Sequence, residues 1–430
     1  MPTSTPSPHN VQQVVQLHSL LWLVVGNAVG IVLALILIFP AWNAAFAPFN
    51  YGRLVTVHLN TQLYGWCSIP LLGLLFRMYL PAHGLRGWAA SAVSIWSVAL
   101  AFGVLSWLSG NTSGKLFMEW SGPSRVAITL SLSCLALVLS VSFIRRLLDA
   151  GDTGLSRPAT LAKGAFLLLL WLVPPVMYWS ANPAHYPPIN PDSGGATGGS
   201  LLGSTLGIVA IIWVSPLVMG LQRQRGWSPV RGTFALLLVH YAAFFLLDHG
   251  NHSHHERLQQ VGLFSLLVWL PAFTYYFRAF TWPRQSKPWL IALCVWGSLV
   301  LATALFTFLP GILERWKFTN ALVAHSHLAM AGMLTSFLVL ILQGLDDAGP
   351  CSSALSRPLP FMLWHMGCLS HIGALMLLGT FEASHPALLF QSECHADFLY
   401  LLRLVGGLAM FSASLSWFTS TLRYLKESPS

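Results

Sequence analysis

Twelve apolar runs divide this chain of 430 residues, each long enough to cross about 30 Å of hydrocarbon. They lie near 17–40, 54–80, 88–109, 125–147, 162–180, 200–221, 232–248, 260–279, 288–309, 320–344, 359–381 and 397–421. With 8% charged residues and a mean hydropathy of +0.64, the chain carries too little charge to surround a soluble core of this size. In hydrocarbon every backbone N–H and C=O needs a partner within the protein, and runs of twenty-odd residues meet that need as helices. The expected fold is an all-α integral membrane protein, a single transmembrane domain over 1–430 built as a twelve-helix bundle.

The basic residues orient it. With the N-terminus inside, fifteen of the twenty-two Lys and Arg fall at inner span ends, among them Arg77, Arg145, Arg146, Arg223 and Arg278. That is the positive-inside bias, and an even number of spans returns the C-terminus to the same, cytoplasmic side. The net charge of +9 then reads as contact with an anionic inner leaflet and calls for no nucleic acid. The first run, 17–42, is too long for a signal-peptide core and lacks a basic segment before it, so it is expected to stay as a span. Six scattered cysteines form no C-x-x-C or C-x-x-C-H, which excludes a zinc-ribbon pattern and covalently attached c-type haem.

Chemistry enters with histidine. His325-Ser-His327 puts two imidazoles inside one apolar run, and at 3.6 residues per turn they point about 200° apart. Two rings so placed cannot share one ion, but each can serve its own centre on either flank of the helix. His58, one turn into the second run, sits at a depth similar to this pair. Neutral imidazole is an axial ligand of haem iron: two give a six-coordinate electron carrier, and one leaves a face for a small molecule. His240, His365 and His371, one per helix face, read more readily as hydrogen-bond partners inside the bundle. Asp248-His-Gly-Asn-His-Ser-His254-His255 ends the seventh run and is either a solvated metal-binding loop or the outer wall of an active site. Glu382 and Glu393, around the gap before the last run, read as a solvated pair. Arg53 and Arg403 suit haem propionates or the membrane interface.

These residues resemble the catalytic subunit I of the haem-copper oxidase superfamily, nearest to its C-type (cbb-type) oxidases and nitric oxide reductases. Gly52-Arg-Leu-Val-Thr-Val-His58 is similar to the motif that opens the family's second span. His325-Ser-His327 matches its H-x-H in span ten, Val239-His-Tyr its V-H-F in span seven, and Trp364-His365 a W-H in span eleven. The resemblance implies two haems, with His58 and His327 as axial ligands of a low-spin haem and His325 as the ligand of a high-spin one. It implies further that His254 and His255 hold a neighbouring copper or non-haem iron, with oxygen or nitric oxide reduced between metal and haem.

Two departures from that pattern matter. The family's third metal-binding histidine belongs to span six, where Ser204 stands near its place, and no tyrosine stands near Asp248, where C-type oxidases have one. Asp248 can substitute as a ligand, because a carboxylate beside two imidazoles suits iron(II) better than copper. Otherwise the chain is a haem-only relative. Three functions remain open: an oxygen-reducing terminal oxidase subunit, a nitric-oxide-reductase-like enzyme, and a proton- or metal-coupled transporter. The first two need an electron-donating subunit bearing c-haem or copper, or quinol, and a bacterial-type energy-coupling membrane as their site.

Overall fold

The computed structural model describes residues 11–81, 84–148, 157–185, 190–192, 198–247, 253–346, 349–385 and 394–427. It is 82% helical, and among the described residues the one β feature is an isolated bridge between Arg223 and Phe280. Eleven helices there are long and apolar enough to cross a membrane. The chain is an all-α, multi-pass membrane protein.

The run expected at 54–80 is not one helix but three pieces: α3 (Tyr51–Asn60), a π-helical segment Thr61–Cys67, and α4 (Ile69–Tyr79). Pro70, at the start of α4, has no N–H to extend the ladder backwards. Hydroxyls satisfy the displaced carbonyls: Thr61 Oγ1 donates to Val57 O at 2.7 Å and Ser68 Oγ to Leu63 O at 2.8 Å. The run near 320–344 is interrupted in the same way. There α14 (Asn320–His327) passes through a π-helical segment, Leu328–Leu334, into α15 (Thr335–Leu345), and Thr335 Oγ1 donates to Met330 O at 3.0 Å. Each π segment carries a glycine against which a tryptophan lies. A Cβ on Gly65 would sit 2.4 Å from Trp22 Cβ, and one on Gly332 would sit 2.7 Å from Trp296 Cδ2.

The helices sort into two compact units. The first holds residues 1–186, 342–360 and 411–430. In it α1 (Val11–Ile38) packs on α3, α4 and α5 (Arg86–Leu108), α5 packs on α6 (Pro123–Leu148), and α6 packs on α7 (Arg157–Ser180). Small polar side chains tie α1 inward. His18 Nδ1 lies 2.6 Å from Ser97 Oγ, Trp22 Nε1 donates to the same oxygen at 3.1 Å, and Gln62 Nε2 donates to Asn27 Oδ1 at 2.9 Å. Outside the spans, buried Lys115 donates from Nζ to the carbonyls of Ser180, Asn182 and His185 and so ties the loop after α5 to the end of α7.

The second unit holds residues 187–341 and 361–410. Its α8 (Gly198–Val218), α9 (Ser228–Leu247), α10 (Arg257–Phe264) and α11 (Trp269–Phe277) close around Leu202, Leu206, Leu237, Leu263 and Trp269. Its α12 (Lys287–Thr307) packs on the π segment after His327. Burial singles out one span. Two-thirds (67%) of the most apolar stretch of Asn320–Leu345 is buried, against 17% for Arg157–Ser180, so the histidine-bearing span is the most enclosed of the eleven and α7 the most outward-facing.

Candidate functional site

Helix α14 begins at a fixed point. Thr319 Oγ1 accepts from Ala321 N at 3.2 Å, and Asn320 donates its backbone N–H to Glu382 Oε2 at 2.7 Å and its side-chain amide to Glu382 Oε1 at 2.5 Å. Glu382 therefore caps the helix, with its charge at the positive end of the dipole. It is 6% exposed, which corrects the reading of this residue as part of a solvated pair; Glu393 lies outside the described residues. One turn before Glu382 on α17 (Pro358–Ser384), Gly379 lets the two backbones meet, since a Cβ there would stand 1.9 Å from Ala321 N.

From that start the two histidines diverge. His325 turns to α12, where its Nδ1 lies 2.8 Å from Thr303 Oγ1. The Thr303 hydroxyl already donates to Leu299 O at 2.8 Å, so it accepts here and the imidazole proton sits on Nδ1. His327 donates Nδ1–H to Val323 O at 2.8 Å, and its ring lies 4.8 Å from that of His371 on α17. His371 gives its own Nδ1–H to Arg403 O at 2.9 Å. Both members of the H-x-H motif thus carry the lone pair on Nε2, on opposite flanks of one helix. A hydrogen bond from the far nitrogen is what orients a metal-ligating imidazole.

His58, in the first unit, has the same arrangement. Its Nδ1 donates to Gly26 O at 2.8 Å, and its ring lies on Gly30, where a Cβ would come within 2.9 Å of Cε1. The donor set therefore fits haem iron at all three positions, with Nδ1 committed to an oxygen and Nε2 as the ligating nitrogen. Arg53 is held locally, because its guanidinium donates to Leu108 O at 2.8 Å, at the C-terminal end of α5. His240 and His365 take bundle hydrogen bonds, the first with Trp269 Nε1 at 2.9 Å and Ser265 Oγ at 2.6 Å, the second with Trp296 Nε1 at 3.0 Å.

His254 and His255 lie in the loop before α10, and the acids that meet them come from elsewhere in the second unit. Glu314, on the short α13 (Leu313–Trp316), sets a single oxygen, Oε1, 2.8 Å from His254 Nε2 and 2.7 Å from His255 Nε2. Its other oxygen accepts from Gly311 N at 2.7 Å. Partial burial pushes the Glu314 carboxyl up. Backbone hydrogen bonds, including that from Gly311, together with the hydrogen bond from His254 outweigh it and hold the group below the usual carboxylate range. Asp192 approaches from another side. It offers a carboxylate oxygen within 4.8 Å of a ligand atom on each of the two histidines, and it accepts a hydrogen bond from Ser253 Oγ. Behind His254, buried Asn190 accepts from Asp192 N through Oδ1 at 3.0 Å and presents its amide to His254 Nδ1 at 2.9 Å. The His254 side chain is fully buried and that of His255 is half exposed.

Sequence reasoning found the histidines and missed their partners. Asp248, the carboxylate expected beside the pair, lies outside the described residues, as do His249 and His252. Glu314 and Asp192 stand sixty or so residues away on either side of the pair, and no local pattern links them to it. Compared with protein-family models and with curated proteins, the chain matches none.

Proposed function

We propose that this chain is a haem-containing respiratory oxidoreductase subunit of the cytochrome oxidase subunit I type, with His58, His325 and His327 as ligands of haem iron. One observation carries the reading. The most enclosed span holds two imidazoles turned to opposite flanks, each with Nδ1 committed to a neighbouring oxygen, which gives Nε2 the ligating role. A transporter that used these histidines to relay protons would gain nothing from fixing their tautomers; a protein that ligates iron needs it.

On this reading the three-piece run 51–79 is the twelfth span, both termini are cytoplasmic, and the membrane is a bacterial-type energy-coupling one. Haem held by His58, His325 and His327 would supply one-electron transfer and binding of a small molecule at iron. The chain's own groups position it. Gly26 O, Thr303 Oγ1 and Val323 O set the ring planes, and Glu382 with Gly379 sets the start of the helix that bears two of the ligands. Electrons come from a partner subunit with c-haem or copper, or from quinol, and the substrate is oxygen.

Nitric oxide is the second reading. Glu314 and Asp192 beside His254 and His255 favour it, because a carboxylate-bearing site suits iron(II) better than copper and two-electron chemistry on nitric oxide needs no active-site tyrosine. The test is a reduced-minus-oxidised optical spectrum of the purified protein, with and without carbon monoxide. Two haems per chain are expected, one of them binding carbon monoxide, with one lost in His325→Ala and one in His327→Ala. A folded protein without haem, from cells that make it, would leave the transporter as the better account.

A further inference from the structure

We infer that the cavity at the inner end of α4, walled by Arg77 and Arg86, seats the headgroup of one anionic phospholipid. The inference goes beyond the proposed function: it uses the first unit alone and needs no haem.

Three segments of the first unit close this cavity of about 220 Å³: the start of α1, the later turns of α4 with the residues after it, and the first residue of α5. Its floor is apolar, with Val15 and Phe76 buried and Leu80 partly buried. Its polar wall is Gln12, Arg77 and Arg86, and among the described lining residues none is acidic. A drug-sized ligand needs roughly 300–1,000 Å³, so the space suits a headgroup and the first carbons of its chains. An apolar floor beside two guanidiniums matches a phosphodiester on an acyl chain. The phosphate takes the planar fork of N–H donors, and the chain lies on the aliphatic side chains.

Helix electrostatics account for one arginine and not the other. Arg77 stands in the last turn of α4, where a cation is favoured, and its Nη1 donates to Gly344 O at 2.9 Å, which fixes the guanidinium. Arg86 is the opposite case. It opens α5 at the positive end of that helix's dipole, with no acid in the first turn and no side-chain cap from Leu85. A cation there disfavours the helix, and a phosphate beside it reverses the effect. Arg146 Nη1 and Lys163 Nζ donate to Met78 O at 3.2 and 2.9 Å, so two more cations meet the residue next to Arg77. Asp346, two residues past Gly344, is not part of the lining, and its Oδ2 accepts from Ser352 N at 2.8 Å. The depth agrees as well. Trp88, two residues after Arg86, is 57% exposed, as suits an indole at the headgroup level. Basic pockets between membrane helices on the cytoplasmic side are where anionic headgroups are held individually.

The test delipidates the full-length protein in neutral detergent and counts bound ligand by native mass spectrometry. The titrants are dioleoyl phosphatidylglycerol, phosphatidylcholine of the same chains, and inorganic phosphate. One phosphatidylglycerol per chain is expected, bound at least about tenfold more tightly than phosphatidylcholine and weakened as salt is raised. Arg86→Gln should lose about fivefold in affinity, the effect of one basic residue at an anionic headgroup, and Arg86→Lys should keep most of it. Arg423→Gln, in the last helix (Cys394–Glu427) and outside the cavity, should change nothing. If Arg77→Gln loses its fold along with the Gly344 bond, Arg86→Gln, at an exposed position, decides alone. Equal affinity for the two lipids, or an equal loss in Arg423→Gln, makes the attraction diffuse and overturns the site. Inorganic phosphate bound as tightly as phosphatidylglycerol makes it a free-anion site and overturns the lipid. Haem content of Arg86→Gln should match wild type, so either reading can fail without the other.

Discussion

At the scale of single residues, the histidines differ less in their burial than in which nitrogen is committed. His58, His325, His327 and His371 all hold Nδ1 on an oxygen, whereas His254 and His365 receive a donor at Nδ1. Sequence marks where an imidazole is but not its tautomer, because the tautomer is set by atoms from other helices. Thr303→Val is close to isosteric and removes the acceptor for His325. It should loosen the carbon-monoxide-binding haem by about 10–100-fold and leave the other haem in place, as read by haem content after dilution. Glu314 offers a pH test. Its folded carboxyl titrates below the ordinary value of about 4.3, so its contribution to stability is whole above that value and is lost as pH falls through the folded one. Wild type should lose its margin in melting temperature over Glu314→Gln as pH is lowered across that range. A margin that stays constant would show that the carboxylate does not stabilise this loop.

At the scale of elements, the two interrupted spans were legible as apolar runs but not as broken helices. The hydroxyls and Pro70 in the 51–79 run were visible, yet serine and threonine occur throughout these spans without breaking them. Thr129, Ser133, Ser140 and Ser142 all bond back to the carbonyl four residues earlier within the unbroken α6. What separates Ser68 and Thr335 is a bond to the carbonyl five residues earlier, which fits a wider turn. A tryptophan from a neighbouring helix lies on a glycine in each π segment, and that packing is tertiary. Gly332→Ala should force Trp296 out of its place and cost about 1–3 kcal/mol, seen as a lower thermal midpoint in detergent. An unchanged midpoint would mean that this turn accommodates a methyl group. The cap at Glu382 belongs to the same scale. It looked solvated in sequence because it sits near the end of its run, and it is buried because Asn320 reaches it from another helix.

At the scale of the molecule, lipid-facing and enclosed spans are built from similar residues. Arg157–Ser180 has a hydropathy of 1.7 and Asn320–Leu345 one of 2.0, yet the first is mostly exposed and the second mostly buried. Composition alone does not order them. The loops matter too. Lys115 gathers three carbonyls from the last residue of α7 and the turn after it, and Lys115→Met should orphan them at about 1–3 kcal/mol each where water does not take over, lowering the melting point in detergent. Orientation can be checked directly. A reporter fused at 113 should report the outer side and one at 224 the inner side, and the opposite pattern would invert the positive-inside reading.

What the amino-acid sequence determined by itself is the solvent and the element type. Apolar runs of this length have nowhere to go but hydrocarbon, and in hydrocarbon the backbone must close its hydrogen bonds within each helix, so membrane and helix follow from local composition. The divergence of His325 and His327 is equally local, a consequence of the helical repeat. The tertiary structure alone decided what those side chains meet. Thr303 for His325, Gly26 for His58 and Glu314 for His254 and His255 are 22, 32 and about 60 residues distant in the chain. No helical or turn period spans such separations, and only the packing of one helix on another brings the partners together.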